Sequence, residues 1–254
     1  MNQTQTGIQA RIKGLEQDMQ RNYADRVTLF KKDVIDYAFS ALSIKKVAEL
    51  GCIWGVDGAY GQYIHDKYAP TEVVMVDAIW NENALRLCRE RKNITTVDGN
   101  FCDVSMPQRI GKVDAIIFFD ILLHMVSPNW DEMLRMYADY TNAFLIVNPQ
   151  FMATSTTVRL LDLGVDEYFR NIPHAPDYPI YQTVFADPYQ MDAKQNKPLR
   201  DAFYIWQWGI TNHDLIDKMD RMGFEPVLIQ KDKLYYGKAK NFANYGFIFA
   251  RSRK

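Results

Sequence analysis

The sequence predicts an α/β protein: a mostly parallel, seven-stranded sheet with helices on both faces and a C-terminal antiparallel hairpin. Three observations predict it. From Lys46 onward, short apolar runs alternate with amphipathic stretches, the pattern of a parallel sheet covered on both sides. The first of these runs close on a glycine or a polar residue, which marks strand ends. The last two apolar runs have no helix between them, so they form a hairpin.

The N-terminal segment comes first. Ile8, Ile12, Leu15, Met19, Tyr23, Val27, Phe30, Val34 and Ala38 recur at steps of three and four, which means helix. The stripe is expected to pack on the core or on a second copy of the chain in a homodimer. Strands follow at KVAELG (46–51), TEVVMVDA (71–78), NITTVDGN (93–100), VDAIIFFD (113–120) and AFLIVNPQ (143–150). Helical stretches such as NENALRLCRERK and NWDEMLRMYADY separate them. A last helix is capped by Thr211, with Asp214 three residues on, and stops at Gly223. The runs PVLIQ (226–230) and YGFIFARS (245–252) make the hairpin. Residues 151–208 break the alternation and read as irregular. Eleven of these 58 residues are aromatic, and prolines recur from Pro173 to Pro198. A long insertion of this kind is usually a lid or binding surface. The expected organisation is one domain over 1–254. It has an N-terminal helical segment (1–42), a core (45–150 and 211–252) and a substrate-side insertion (151–210).

Composition narrows the function. The 254 residues carry 30 basic and 31 acidic side chains, a formal charge of −1. That balance argues against a protein that works by gripping nucleic-acid phosphates. Three cysteines, Cys52, Cys88 and Cys102, are too few for a disulfide framework and point to a reducing cytoplasm. The first residues lack the apolar core of a signal peptide. AIIFF (115–119) is far too short to span a bilayer, so no membrane partner is expected.

Ligands of open parallel sheets sit beyond the carboxyl ends of the strands. Strand one runs into Glu49-Leu50-Gly51-Cys52-Ile53-Trp54-Gly55. Its glycines allow a tight turn and close approach of a ligand, and the next helix aims free N–H groups at the same place. Strand two ends in Asp77-Ala78, where an acid accepts ribose hydroxyls. Strand three ends in Asn100-Phe101, a polar edge and a flat face for a purine. A dinucleotide fingerprint would need glycine where Ile53 and Val56 stand, so NAD is disfavoured. No GxxxxGK[ST] occurs, which excludes a P-loop ATPase.

This ordered set resembles the class I S-adenosylmethionine-dependent methyltransferases, over about 45–150 and 211–251. The resemblance implies a Rossmann-like fold and S-adenosylmethionine as cofactor. Glu49, Gly51, Cys52 and Gly55 would hold its methionine part, Asp77 and Ala78 the ribose, Asn100 and Phe101 the adenine. Asp120, after strand four, would complete the site. The family usually has glycine where this chain has Ile53. The strings GCIWGVDGAY, ILLHMVSPNWDEMLRMYA, VNPQF and RLLDLGVDEYFR further resemble bacterial sugar O-methyltransferases, methylmannoside 1-O-methyltransferases among them. That likeness implies O-methylation of a small-molecule acceptor, a carbohydrate hydroxyl.

His124 follows strand four and has the intrinsic pKa of a general base, with Asp120 as the second catalytic candidate. Asp120, His124 and Asn148 together offer the oxygen and nitrogen ligands that hold Mg²⁺ in some sugar and catechol O-methyltransferases. Asn148-Pro149-Gln150-Phe151 is similar to the Asn-Pro-Pro-Tyr/Phe motif of base-amino methyltransferases. Its third residue differs, and it follows strand five rather than four. Tyr168, Tyr178, Tyr181, Tyr204, Trp206 and Trp208 are candidate walls of the acceptor pocket; His174 and His213 are alternative bases. Two rival readings stay open. Seven basic residues and one acidic from Lys231 onward would suit an RNA or protein methyltransferase, or simply a solvated tail. Ile53 would suit a cofactor-binding but inactive partner subunit.

Overall fold

The computed structural model describes residues 29–174, 176–177, 179–193, 196–235 and 239–252. The stripe from Ile8 to Val27, and Tyr178, lie outside the described residues.

Residues 29–41 form helix α1. Strands β1 (Lys46–Leu50), β2 (Glu72–Asp77), β3 (Ile94–Asp98), β4 (Val113–Phe119) and β5 (Thr141–Phe151) alternate with α2 (Ala59–Tyr68), α3 (Glu82–Arg89), α4 (Met106–Ile110) and α5 (Trp130–Ala138). The insertion adds β6 (Val158–Arg159), α6 (Val165–Asn171), α7 (Pro179–Ala186), β7 (Met191–Asp192), β8 (Lys197–Pro198) and β9 (Trp208–Gly209). Helix α8 (Asn212–Arg221) leads into β10 (Phe224–Tyr235) and β11 (Phe242–Arg251).

The seven-stranded sheet has the order β10-β11-β5-β4-β1-β2-β3. Strand β11 runs antiparallel to both β5 and β10; the other pairings are parallel. The strands bury apolar residues on both faces, as a doubly covered sheet requires. One face packs Leu50, Val76, Phe118, Trp130, Leu134 and Phe247 with α5 and α8. The other packs Val47, Ile117, Leu145 and Ile248 with α1, α2 and α3.

Register positions the ligand edge. Leu50 lies opposite Val76, and Asp77 opposite Asp98. Phe119 lies opposite Val147. The segments that follow β1, β2, β3 and β4 therefore leave the sheet side by side. The strand order reverses between β1 and β4, so the turns after these strands flank a topological switch point.

Helix α1 turns Phe30, Val34, Ile35 and Ala38 into the core, so the described part of the N-terminal stripe packs on its own chain. A close approach permits this. A Cβ on Gly246 of β11 would stand 2.5 Å from Val34 Cγ2 and 3.1 Å from Phe30 Cζ.

The insertion is more ordered than its sequence suggested. It has a separate apolar cluster of Tyr168, Ile172, Tyr181, Val184, Ile205 and Trp206, joined by Phe151 and Phe242. The basic C-terminal stretch is largely hairpin rather than tail. The Arg251 guanidinium donates to the carbonyls of Ala138 and Thr141 and covers the Phe224 ring. Among the described residues, no helix is long and apolar enough to cross a membrane.

Candidate functional site

The turn after β1 is built on left-handed backbone. Gly51 has φ 65° and Gly55 φ 71°, a region costly for residues with a Cβ. At Gly51 space is also short: a Cβ would lie 3.0 Å from Ile121 Cδ1 and 3.3 Å from Phe101 Cε1. The turn thus lies against Phe101 from the β3 side and Ile121 from the β4 side.

Two carboxylates hold this turn. Glu49 is buried, and its Oε2 accepts the Gly61 N–H at 2.7 Å. Burial raises its pKa to about 8; the Gly61 N–H and the charge of Lys31 oppose that rise. Asp77 is buried too. Its Oδ2 accepts the Ile53 N–H at 2.8 Å, and its Oδ1 accepts the Ile79 N–H at 2.9 Å. The Ile53 side chain is buried in the apolar cluster that also holds Tyr60 and Phe119. Cys52 likewise turns its thiol inward, against the Val76 carbonyl at 3.7 Å. Its side chain is core, which corrects its assignment to the cofactor surface; only its backbone borders the turn. Ala78 and Asn100 are exposed, and Phe101 is half-buried. Asn100 Oδ1 accepts the Cys102 N–H at 2.9 Å, and Tyr137 donates to the Phe101 carbonyl at 2.7 Å. These bonds fix the loop after β3.

Beyond β4, Asp120 has φ 56° and donates its N–H to the Val147 carbonyl at 2.7 Å. Its Oδ2 pairs with Lys31 Nζ at 2.6 Å, while Oδ1 is buried without a hydrogen-bond partner. Lys31 comes from α1 and is buried, with Nζ over the rings of Tyr60 and Phe119. Burial alone would lower its pKa, but the Asp120 carboxylate beside it holds the ammonium above its usual range. Sequence reasoning missed this residue. Only the crossing of α1 over the sheet brings it here.

His124 ends a short 3₁₀ turn, Leu122–His124. Its Nδ1 lies 2.8 Å from the Ile205 carbonyl. A carbonyl only accepts, so Nδ1 carries the hydrogen and Nε2 presents its lone pair. Burial lowers the His124 pKa; the Ile205 carbonyl and the Asp120 charge oppose it, and the His174 charge adds to it. Ile205, rather than Asp120, is the hydrogen-bond partner that orients the ring. Two more bonds tie this turn to the insertion: Gln207 N–H to the Leu123 carbonyl at 3.0 Å, and Trp208 Nε1 to the Met125 carbonyl at 2.6 Å.

The proposed metal ligands do not form a set. Asn148 Oδ1 accepts the Leu123 N–H at 3.2 Å, and its Nδ2 donates to the Pro149 carbonyl at 2.8 Å. Both ends of that amide serve the backbone, so Asn148 anchors the loop. Asp120 is held by Lys31 and His124 by Ile205. Among the described residues, no three His, Cys, Asp or Glu side chains group as metal ligands. These residues do not fit a magnesium site.

The aromatic candidates separate by where their polar atoms go. Tyr168 is fully buried, and its hydroxyl donates to the Trp206 carbonyl at 3.0 Å; it is core of the insertion. Trp208 is an anchor through its ring N–H. Neither has a free polar end for a substrate. Tyr181 and Trp206 are buried, but both border His174. The Tyr181 hydroxyl bonds His174 Nδ1, and the Trp206 ring packs edge-on to the imidazole. Tyr204 is half-buried and donates to Asp192 Oδ2 at 2.5 Å. Its pKa is pushed up to about 12 by burial and by that carboxylate. His213 is exposed on α8. Gln150 is buried, with Oε1 unpartnered.

No family model matches the chain, and no curated protein matches it. Solved structures match it at low identity. Magnesium protoporphyrin IX methyltransferase from Synechocystis PCC 6803, with bound S-adenosylhomocysteine, is 14% identical with a TM-score of 0.53, over 99% of this chain and 96% of that one. Burkholderia thailandensis 1,6-didemethyltoxoflavin-N1-methyltransferase, with bound 1,6-didemethyltoxoflavin and S-adenosylhomocysteine, is 11% identical with a TM-score of 0.53, over 100% and 92%. The N-terminal domain of EvdMO1, with S-adenosylhomocysteine bound, is 11% identical with a TM-score of 0.51, over 88% and 81%. At these identities the likeness is one of fold.

Proposed function

We propose that this chain, which has the fold of the class I S-adenosylmethionine-dependent methyltransferases, moves a methyl group from S-adenosylmethionine to a hydroxyl of a small molecule. The observation that carries the reading is the alignment of four strand ends at one edge. Gly51, Asp77, Phe101 and Asp120 stand there together, with His124 one turn beyond. Gly51 and Gly55 leave room for the methionine part, and Asp77 and Ala78 face the ribose. Asn100 and Phe101 offer an edge and a face to adenine.

When bound, S-adenosylmethionine supplies an electrophilic methyl carbon on a sulfonium. His124 does the proton work. With Nδ1–H held by Ile205, Nε2 accepts the acceptor's hydroxyl proton as its oxygen attacks. Burial favours the neutral imidazole, so the base form dominates at neutral pH. The nearby Asp120 carboxylate steadies the imidazolium that forms.

The acceptor reading is a polyhydroxylated small molecule, a sugar by the sequence likeness. Tyr204 with Asp192, and His174 with Tyr181, supply hydrogen-bonding groups among flat rings, which suits a sugar. Cys52, Cys88 and Cys102 are free thiols, in keeping with a reducing compartment such as the cytoplasm.

Calorimetry with S-adenosylhomocysteine tests the cofactor half. A panel of sugar, phenol and amine acceptors with labelled cofactor tests the other half. Binding with labelled hydroxyl products supports the reading. Absence of binding by the wild-type protein sinks it, and labelled amines alone would make it an N-methyltransferase.

A further inference from the structure

Trp54 stands proud of the turn after β1. Its side chain is 72% exposed, although folded proteins usually keep most of an indole covered. The backbone around it is tied down. The Val56 and Asp57 N–H groups both donate to the Ile53 carbonyl, and the Gly58 N–H donates to the Cys52 carbonyl at 2.8 Å. A Cβ on the neighbouring Gly55 would touch nothing within 4 Å. The ring therefore projects from a fixed base into open space. There it meets Phe203 of the insertion, edge to face, with centroids 6.5 Å apart and planes at 86°.

Phe203 belongs to a strap, residues 197–208, that the insertion lays across the strand ends. Lys197 Nζ donates to the Ser127 carbonyl at 3.1 Å. Ile205, Gln207 and Trp208 bond to His124, Leu123 and Met125. Next to Phe203, Ala202 is buried and its carbonyl accepts Gln207 Nε2 at 2.8 Å, while Tyr204 is held by Asp192. Hydrogen bonds thus fasten the strap to the turn after β4. Its contact with the turn after β1 is of another kind: two rings, of which Phe203 is 40% exposed and Trp54 more so. Such a contact buries little and parts easily. The two turns flank the switch point where an open parallel sheet takes its ligand, so the strap bridges the mouth of that crevice.

We propose that Trp54 and Phe203 form a two-ring gate at the mouth of the crevice, and that its parting sets how fast the nucleoside cofactor enters and its demethylated product leaves. The proposal rests on the S-adenosylmethionine reading above and adds a control of exchange to it. Phe203 is the post, since the strap is anchored on both sides of it. Trp54 is the leaf, since its ring is the more exposed of the two. The rings meet each other rather than hold a ligand between them. The gate therefore acts on entry and exit alike and leaves affinity as it is.

The test measures association and dissociation rates of S-adenosylhomocysteine on the immobilised full chain by surface plasmon resonance, which does not depend on indole fluorescence. Wild type is compared with Trp54→Ala, Trp54→Phe, Phe203→Ala and the double alanine variant. Each alanine variant should raise both rates together by about three- to tenfold, the worth of one edge-on ring pair. Kd should stay within about twofold of wild type. Trp54→Phe keeps a ring in place and should stay near the wild-type rates. The double variant should match the faster single one, because both substitutions remove the same contact. Rates that stay unchanged or fall would overturn the proposal. So would a weaker Kd that arises from dissociation alone, which would make Trp54 a ligand contact instead of a gate. Failure of wild type to bind S-adenosylhomocysteine would overturn the cofactor reading itself.

Discussion

The Asp77 carboxylate reaches across from β2 to accept the Ile53 N–H at 2.8 Å, and so ties the end of β2 to the turn after β1. Two parts of the proposed nucleoside site therefore share a single side chain. Asp77→Ala should remove that bond and the one to Ile79 together. We expect S-adenosylhomocysteine affinity to fall by about tenfold or more, with stability down by about 1–3 kcal/mol from the stranded N–H groups. Calorimetry and urea unfolding measure the two effects. Unchanged affinity would separate Asp77 from the ligand.

His124→Asn should lower kcat by about a hundredfold or more and leave cofactor affinity nearly unchanged. The pH profile gives a second reading. Because burial lowers the His124 pKa, the imidazole stays neutral to a pH below its ordinary 6.5. The acidic limb of kcat should therefore fall below that value, and the variant should lose that limb. A limb above 6.5 would contradict the assignment.

Glu49 makes a stability prediction. Its pKa rises from 4.5 to about 8 on folding. Between these values the folded chain holds a proton that the unfolded chain has lost. Stability from this group is thus fully present below 4.5 and declines as pH rises through about 8. The slope is at most about 1.4 kcal/mol per pH unit. Glu49→Gln should flatten the fall of Tm across this window. Parallel curves for the two proteins would mean the carboxyl is ionised throughout.

Gly246→Ala tests the seat of α1. The added methyl would meet Val34 at 2.5 Å, and overpacking of this kind costs about 1–3 kcal/mol. Displacing α1 also moves Lys31. The variant should therefore unfold at a lower urea concentration than wild type and loosen the Lys31–Asp120 pair. An unchanged urea midpoint would mean that α1 accommodates the methyl without cost.

Much of the fold was legible because strand periodicity and glycine punctuation are local. All seven strands of the main sheet fall where the apolar runs lie, six of them within three residues at each end, while β10 runs five residues past the expected 226–230. So does the Thr211 cap, whose hydroxyl accepts the Asp214 N–H. Side-chain direction was not legible. Cys52 and Ile53 sit in the turn after β1, which the sequence marks for a ligand, yet both side chains are buried in the core. Asn148 looked like a ligand because its amide is polar, but neighbouring backbone groups consume both ends. The aromatic insertion gave composition without direction, so Tyr168 and Trp208 could not be told from pocket walls. Lys31 was illegible for a different reason: its meaning depends on a helix crossing that no spacing encodes.

The three bonds from Ile205, Gln207 and Trp208 to residues 123–125 tie the insertion, whose apolar cluster takes in Leu123, Phe151 and Phe242, to the turn after β4. Under the proposed function, the acceptor side and the cofactor side can then vary apart from each other. Substitutions inside the Tyr168–Tyr181 cluster can reshape what is methylated without touching the donor. Substitutions at this short seam alter the rate for every acceptor at once. A library confined to 165–204 is thus the economical route to new acceptors, provided that the seam is left as it stands.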